Sequence, residues 1–273
     1  MNVKEKRLVG AVQRGVSLPT YLLNLKFQTS VYNWQNRKKS PGIFQKSLYV
    51  SSVGIGGKKF LSKIVKKFGH ENFDYLIFVY DDTEFNEKSY KKCSFIRKKS
   101  DKCILYQLAK KYLTPKFCNK YDFIFLWNDD IDVEDFSLKN FIDVMERNNL
   151  DMAQPALSNK SYYGHEITLR DERYPVGRYT DFVETMVPVF TRSAWLKFRD
   201  MIQEDYNFWG WGYDILAKSF CKYKNMGIVD CETVIHTRPI QSSQTNAKED
   251  MTLFFNAHKK YKRSYRLVYS SLK

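Results

Sequence analysis

The chain has 273 residues, 43% hydrophobic and 16% aromatic, and its 45 Lys and Arg against 30 Asp and Glu leave a formal charge of +15. That apolar content excludes a disordered chain and suffices for one large domain or two small fused ones. No apolar run approaches the ~20 residues needed to cross a bilayer, the start "MNVKEKRLVGAVQRG" lacks the continuous apolar core of a signal peptide, and five cysteines without a CxxC pair argue against a disulfide framework or structural zinc. A single globular domain in a reducing, cytosolic setting is the expectation. The positive charge favours an anionic partner such as a nucleotide, nucleic acid, anionic glycan or membrane surface.

In chain order, "NWQNRKKSPG" (33–42) reads as a basic surface loop. "SLYVSSVGI" (47–55) reads as a buried strand and "KKFLSKIVKKF" (58–68) as a helix with Phe60, Leu61, Ile64, Val65 and Phe68 on one face. "GIGG" (54–57) between them lacks the Lys-Ser/Thr of a P-loop and the third glycine of a dinucleotide fingerprint, so it reads as a tight turn. "DYLIFVYDD" (74–82) is a strand again, and "CILYQLAKKYL" (103–113) a helix stopped by Thr114 and Pro115. "YDFIFLW" (121–127) is a strand and "SLKNFIDVMERNN" (137–149) a helix with Ser137 as N-cap. This alternation predicts an α/β fold: a mostly parallel, twisted sheet with helices on both faces.

The second half is less regular, with a strand at 151–157, a polar loop over 158–180, an apolar stretch at 182–190, helices near 193–204 and 213–223, and a strand at 226–236. The basic tail from 258 reads first as a solvated helix end, with an anion-binding arm as the alternative.

The chemistry concentrates after the strand at 121–127, where "NDDIDVED" gathers Asp129, Asp130, Asp132, Glu134 and Asp135 in an otherwise basic chain. Ligands of open parallel sheets bind beyond the carboxyl ends of the strands. Clustered carboxylates repel one another unless a cation intervenes, and hard oxygen ligands select Mg²⁺ or Mn²⁺. In an extended chain Asp130 and Asp132 point to one side, about 6.6 Å apart. A solvated acidic loop capping the next helix is the competing reading. "NFWGWGYD" (207–214) sets Trp209 and Trp211, with flat faces suited to sugar rings, and two flexible glycines just before Asp214. His236 ends a strand and is a candidate further ligand, while His165 in the polar loop and Glu184 in the apolar stretch are candidate acceptor contacts.

Several of these stretches resemble the family called domain of unknown function 707, found in plants, some bacteria and algal viruses and similar to GT-A glycosyltransferases. The matching segments, across residues 47–240, are "SLYVSSVGI", "LSKIVKKF", "YDFIFLWNDDIDVEDF", "AQPALS", "HEIT", "FVETMVPVFTRSAW", "WGYDILAKSF" and "GIVDCETVIH". The family usually has three acids where this chain has Asn128, Asp129 and Asp130, and a glycine where it has Asp132. The resemblance places the metal on Asp130 and leaves open whether Asp132, one step later, completes the acid pair that holds it; His236, from its place at a strand end, is the expected further ligand. "WGWGYD" is similar to the aromatic-glycine motif preceding the base carboxylate of inverting galactosyltransferase-like enzymes, which implies Asp214 as catalytic base.

The resemblance thus implies one GT-A-like domain: a nucleotide-binding half (47–136), an acceptor-binding half (137–245) and a basic tail (246–273). It implies an inverting, Mn²⁺- or Mg²⁺-dependent glycosyltransferase moving a hexose or a pentose such as xylose from a UDP-sugar to a glycan or glycoprotein. Val53, Asp81, Lys102, Asn128 and Asp129 would line the nucleotide, and His165, Glu184, Trp209 and Trp211 the acceptor. Nucleic acid is not an expected partner, and the location would be the cytoplasm, that of the host for a viral protein. A Mg²⁺-dependent nuclease or nucleotidyltransferase and a non-catalytic carbohydrate-binding protein are the alternatives from other classes.

Overall fold

The computed structural model describes residues 46–98, 105–239 and 245–273; the basic segment 33–42, Lys102 and the start of the helix expected from Cys103 lie outside them. The first half alternates as expected. It runs β1 (Ser47–Val53), α1 (Lys58–Phe68), β2 (Phe73–Val79), β3 (Cys93–Arg97), α2 (Leu105–Tyr112), α3 (Pro115–Cys118), β4 (Phe123–Leu126), β5 (Ile131–Asp132) and α4 (Leu138–Arg147). There follow β6 (Met152–Leu157), β7 (Arg178–Thr180), β8 (Val189–Thr191), α5 (Arg192–Met201), α6 (Tyr213–Cys221), β9 (Met226–His236), α7 (Thr245–Ala257) and β10 (Val268–Ser271). Thr114 stops the α2 segment as expected but also caps α3, accepting from the Phe117 amide, and Ser137 caps α4 through the Asn140 amide.

The strands form one sheet in the order β10-β7-β9-β6-β8-β4-β1-β2-β3. From their pairings β1, β2, β3, β4, β6, β9 and β10 run one way and β7 and β8 run against them, which makes the sheet mixed and mostly parallel. Alternation along the central strands fills two cores. Tyr49, Tyr75, Phe125 and Trp127 pack with α1 and with Phe136 and Phe141 on one face. Leu48, Val50, Leu76, Phe78, Ile124 and Leu126 pack with Trp195, Phe198 and Tyr213 on the other. At about 25 cal/mol per Å², burying side chains of this size is the main stabilisation of the layers.

One irregularity positions the site. Along β6 and β9 the partner of Pro155 is Val229 but that of Ala156 is Thr233, so Asp230, Cys231 and Glu232 are bulged out. Beyond the bulge β9 continues far enough for Ile235 and His236 to pair with Asp132 and Ile131 of β5. His236 therefore arrives beside the acid cluster that follows β4.

Several expectations change. The short segment 93–97, unassigned from sequence, is a third parallel strand, the polar loop contains β7, and the apolar stretch ends in β8 between β4 and β6. The tail is not a solvated helix end: after α7 and a loop, β10 closes the sheet edge on β7. Among the described residues no helix is long and apolar enough to cross a membrane, and the four described cysteines are free.

Candidate active site

The carboxyl ends of β1, β2, β4 and β9 converge on Asp129 and Asp130. Asp129 Oδ2 accepts from the Tyr80 hydroxyl at 2.9 Å and from the Gly54 amide at 3.4 Å, and Oδ1 accepts from the Arg238 guanidinium. Its carboxyl is pushed up from the ordinary value by burial foremost, and by the charge of Asp130, against the pull of Arg238. Tyr80, half-buried and facing that charge, is pushed up to about 12 by desolvation first and then by Asp129. The turn must be glycine-rich because of this approach: a Cβ on Gly57 would stand 2.3 Å from Asp129 Oδ2, and one on Gly54 2.5 Å from Asp81 Oδ2. The amides of Gly57 and Lys58 both bond Gly54 O, so "GIGG" is the tight turn expected.

Asp130 is 7% exposed. Its Oδ2 faces His236 Nε2 at 3.0 Å and Arg238 Nε at 3.4 Å, while Oδ1 is buried with no partner. His236 Nδ1 lies 2.8 Å from Tyr162 O and so must donate. Burial opposes the charged imidazole, but the hydrogen bond and charge of Asp130 more than offset it and hold the His236 pKa above the ordinary value.

Asp132 does not join this group. Its Oδ2 takes the Lys63 ammonium of α1 at 2.6 Å, leaving Oδ1 unpartnered. Among the described residues no three His, Cys, Asp or Glu side chains are grouped to hold a metal ion. A pair suffices for Mg²⁺ or Mn²⁺, which keep water and substrate phosphates in the remaining positions. The orphaned Asp130 Oδ1, beside an imidazole whose Nδ1 is committed to a carbonyl, fits that requirement.

Across the site lie Glu184 and Asp214, the latter in the first turn of α6. Asp214 Oδ1 accepts from the Ile215 amide at 2.8 Å. The helix terminus favours the ionised form, yet burial outweighs its amides and the Arg266 charge, and the pKa rises to about 6. Glu184 is pushed further, to about 8, by burial and then by Asp214, and its Oε2 has no partner. The two acids are therefore separated at neutral pH, Asp214 ionised and Glu184 protonated.

The other expected residues divide. Asn128 is half-buried and its amide bonds Met186 O, while Asp81 accepts from the Ile55 and Thr83 amides at 2.8 and 2.9 Å and serves as a loop clamp. The Val53 side chain belongs to the core, so only its main chain can meet a ligand. His165 is half-buried, edge-on to Phe182 at 4.8 Å, and its pKa falls to about 4 through burial and then Arg266. Trp209 and Trp211 are half-buried in a loop where Asn207, Gly210 and Gly212 all have positive φ. Sequence reasoning missed Tyr80, Lys63, Arg238 and Arg266; a lone basic residue in so basic a chain carries no signal of its own.

The raised carboxyls predict a pH dependence of stability. Glu184, Asp214, Asp230 and Glu232 all titrate higher when folded, and His236 is also raised. The folded state then binds more protons than the unfolded one between about pH 4 and 8, so stability falls as pH rises through that window. The depressed carboxyls, Asp74, Asp81 and Asp171, act in the opposite sense only below it, and His165, lowered to about 4, opposes the trend only up to its ordinary value near pH 6.5, where the several raised groups outnumber it. The melting temperature is expected to drop by several degrees from pH 5.5 to 8; a rise over that range in scanning calorimetry would contradict the burial of these groups.

Comparison with solved structures places the fold. The chain superposes on S. aureus TarS 1-349 in complex with UDP-GlcNAc with a TM-score of 0.54 at 12% identity, over 77% of this chain and 65% of that one. It matches a second structure of TarS 1-349 with a TM-score of 0.51 at 11% identity, over 79% of this chain and 72% of that one. At such identity the likeness concerns the fold alone, which is α/β and GT-A-like. No curated protein matches the chain by sequence. The model of one family, "Protein of unknown function (DUF707)", matches residues 17–268, nearly the whole length, and the chain belongs to that DUF707 family.

Proposed function

We propose that the protein is a glycosyltransferase that takes a sugar from a UDP-sugar, with a divalent cation, and inverts the anomeric centre. The observation that carries this reading is the Asp130–His236 pair, with its orphaned carboxylate oxygen, at the strand ends facing the Glu184 and Asp214 acids. The GT-A-like fold and the UDP-GlcNAc bound by TarS support it. On this reading residues 47–136 serve the nucleotide and residues 137–245 the acceptor.

Asp130 Oδ1 and His236 Nε2 would hold Mn²⁺ or Mg²⁺, which when bound would offset the charge of a departing diphosphate. Arg238 brings a second cation to the same edge, held in place by Asp129 and Asp130. Asp214, ionised above about pH 6, takes the proton of the attacking acceptor hydroxyl. Attack opposite the leaving diphosphate needs no covalent sugar intermediate, and Glu184, protonated at neutral pH, is unsuited to be a nucleophile. The half-buried rings of Trp209 and Trp211 offer apolar faces to a sugar.

The test is incubation with Mn²⁺ and a panel of nucleotide sugars, following UDP release. Slow hydrolysis of at least one UDP-sugar is expected; cleavage of DNA with none of the sugar nucleotides turned over would refute the reading. Asp130→Asn is expected to weaken Mn²⁺-dependent UDP binding by about tenfold or more, the range for perturbing a metal ligand set, with melting close to wild type. Asp132→Ala should cost less, because Asp132 is engaged by Lys63. Calorimetric titration decides, and the reverse order would move the ion to Asp132.

A further inference from the structure

The C-terminal tail contributes one group to this site. The loop between α7 and β10 is fastened to both segments that carry the candidate acids. Asp181 accepts from the Tyr265 amide at 2.8 Å and the Leu267 amide at 2.6 Å, three residues before Glu184, and the Ser264 amide donates to Ile215 O at 2.8 Å, one residue after Asp214. β10 then locks the far end onto β7. At the tip of this clamped loop Arg266 holds φ 57, a left-handed backbone that glycine or asparagine would adopt with less strain.

What this arginine offers in return is its side chain. The guanidinium lies over the Phe182 ring, 5.5 Å from its centroid, and Phe182 in turn meets His165 edge-on. Its charge reaches His165, Glu184 and Asp214. Yet the residue is exposed and, among the described residues, its guanidinium makes no ion pair. The other arginine of the site, Arg238, differs on this point, being held by Asp129 and Asp130 on the opposite, nucleotide side. A planar fork of donors, stacked on an aromatic ring and left without a carboxylate, matches a carboxylate or phosphate.

We propose that Arg266 binds an anionic group on the acceptor and so restricts the enzyme to acidic acceptors, turning a nearby hydroxyl toward Asp214. This rests on the transferase reading above and names the acceptor class that reading left open. The overall charge of +15 acts in the same direction, drawing an acidic chain to the surface.

The test uses matched probes with the full chain, UDP and Mn²⁺: methyl glucuronide against methyl glucoside, and glycerol 3-phosphate against glycerol, with affinities from ligand-observed NMR. In at least one pair the anionic member is expected to bind wild type tenfold or more tightly. Arg266→Ala should abolish that preference and Arg266→Lys should keep part of it. Arg266→Gly should also abolish it while melting no lower than wild type, because glycine relieves the left-handed backbone; a purely structural arginine would lower the melting temperature and leave the preference intact. Equal affinities within both pairs, a preference that survives Arg266→Ala, or an equal loss of UDP affinity in that variant would overturn the proposal. UDP binding and UDP-sugar hydrolysis by wild type test the underlying reading separately: if they hold and the preference is absent, only the acceptor assignment falls.

Discussion

Asp214→Asn is expected to lower turnover about 100-fold or more, the scale for losing a general base, while UDP affinity stays near that of wild type. The amide keeps the volume of the carboxyl and can still accept from the Ile215 amide, so the first turn of α6 should persist. What disappears is the basic oxygen. Because burial raises the acid to about 6, wild-type turnover should climb through that pH and level off near neutrality. Glu184, raised to about 8, should not shape the acid limb. Glu184→Gln should therefore cost much less than Asp214→Asn. The product from an α-linked donor is expected to be β-linked by NMR. An active Asp214→Asn protein beside an inactive Glu184→Gln one, or an α-linked product, would exchange the two roles and imply retention through a covalent intermediate.

The separation of these two acids shows where the chain was readable and where it was not. Periodicity sufficed for β1, α1, β2, β4 and α4, because each has one apolar face or a fully apolar run between breakers. β3 escaped because its short run, Cys93–Arg97, is flanked by lysines and lies at the sheet edge, where little burial is demanded. Asp130 was singled out from its place after a buried strand. The expectation that Asp132 would share its direction failed for a local reason. Strand alternation presumes extended chain, but Asp129 and Asp130 form a turn and β5 begins only at Ile131. The meeting of His236 with Asp130 depends on the three-residue bulge in β9, which no pattern in "MGIVDCETVIH" announces. Tertiary position alone likewise distinguishes Arg238 and Arg266 from the other basic residues.

Arg178→Ala is expected to cost about 3–5 kcal/mol of stability, the usual penalty for removing one partner of a buried ion pair. Arg178 of β7 is 3% exposed. It reaches Asp171 and Asp230 at 3.3 Å each and donates to Ile167 O and Leu169 O at 2.8 and 2.5 Å. Asp171 keeps a second cation, Arg173, whereas Asp230 pairs with Arg178, accepts from the Asp171 amide at 2.7 Å, feels the charge of Arg170 more weakly, and already has one buried oxygen unpartnered. Burial pushes Asp230 up to about 7 even with the guanidinium present, so without it the acid should take a proton at neutral pH. The loss should therefore be smaller at pH 5.5 than at pH 8. Adding Asp230→Asn should recover part of it, since the amide removes the charge that Arg178 balanced. The network stands at the bulge of β9 and where β7 carries β10, so a protein weakened here should also hold the Arg266 loop less firmly. Chemical denaturation of the single and double variants at both pH values measures these terms. A loss below about 1 kcal/mol, the range of an exposed pair, would mean that water reaches the cluster and that this corner of the sheet is not held by charge.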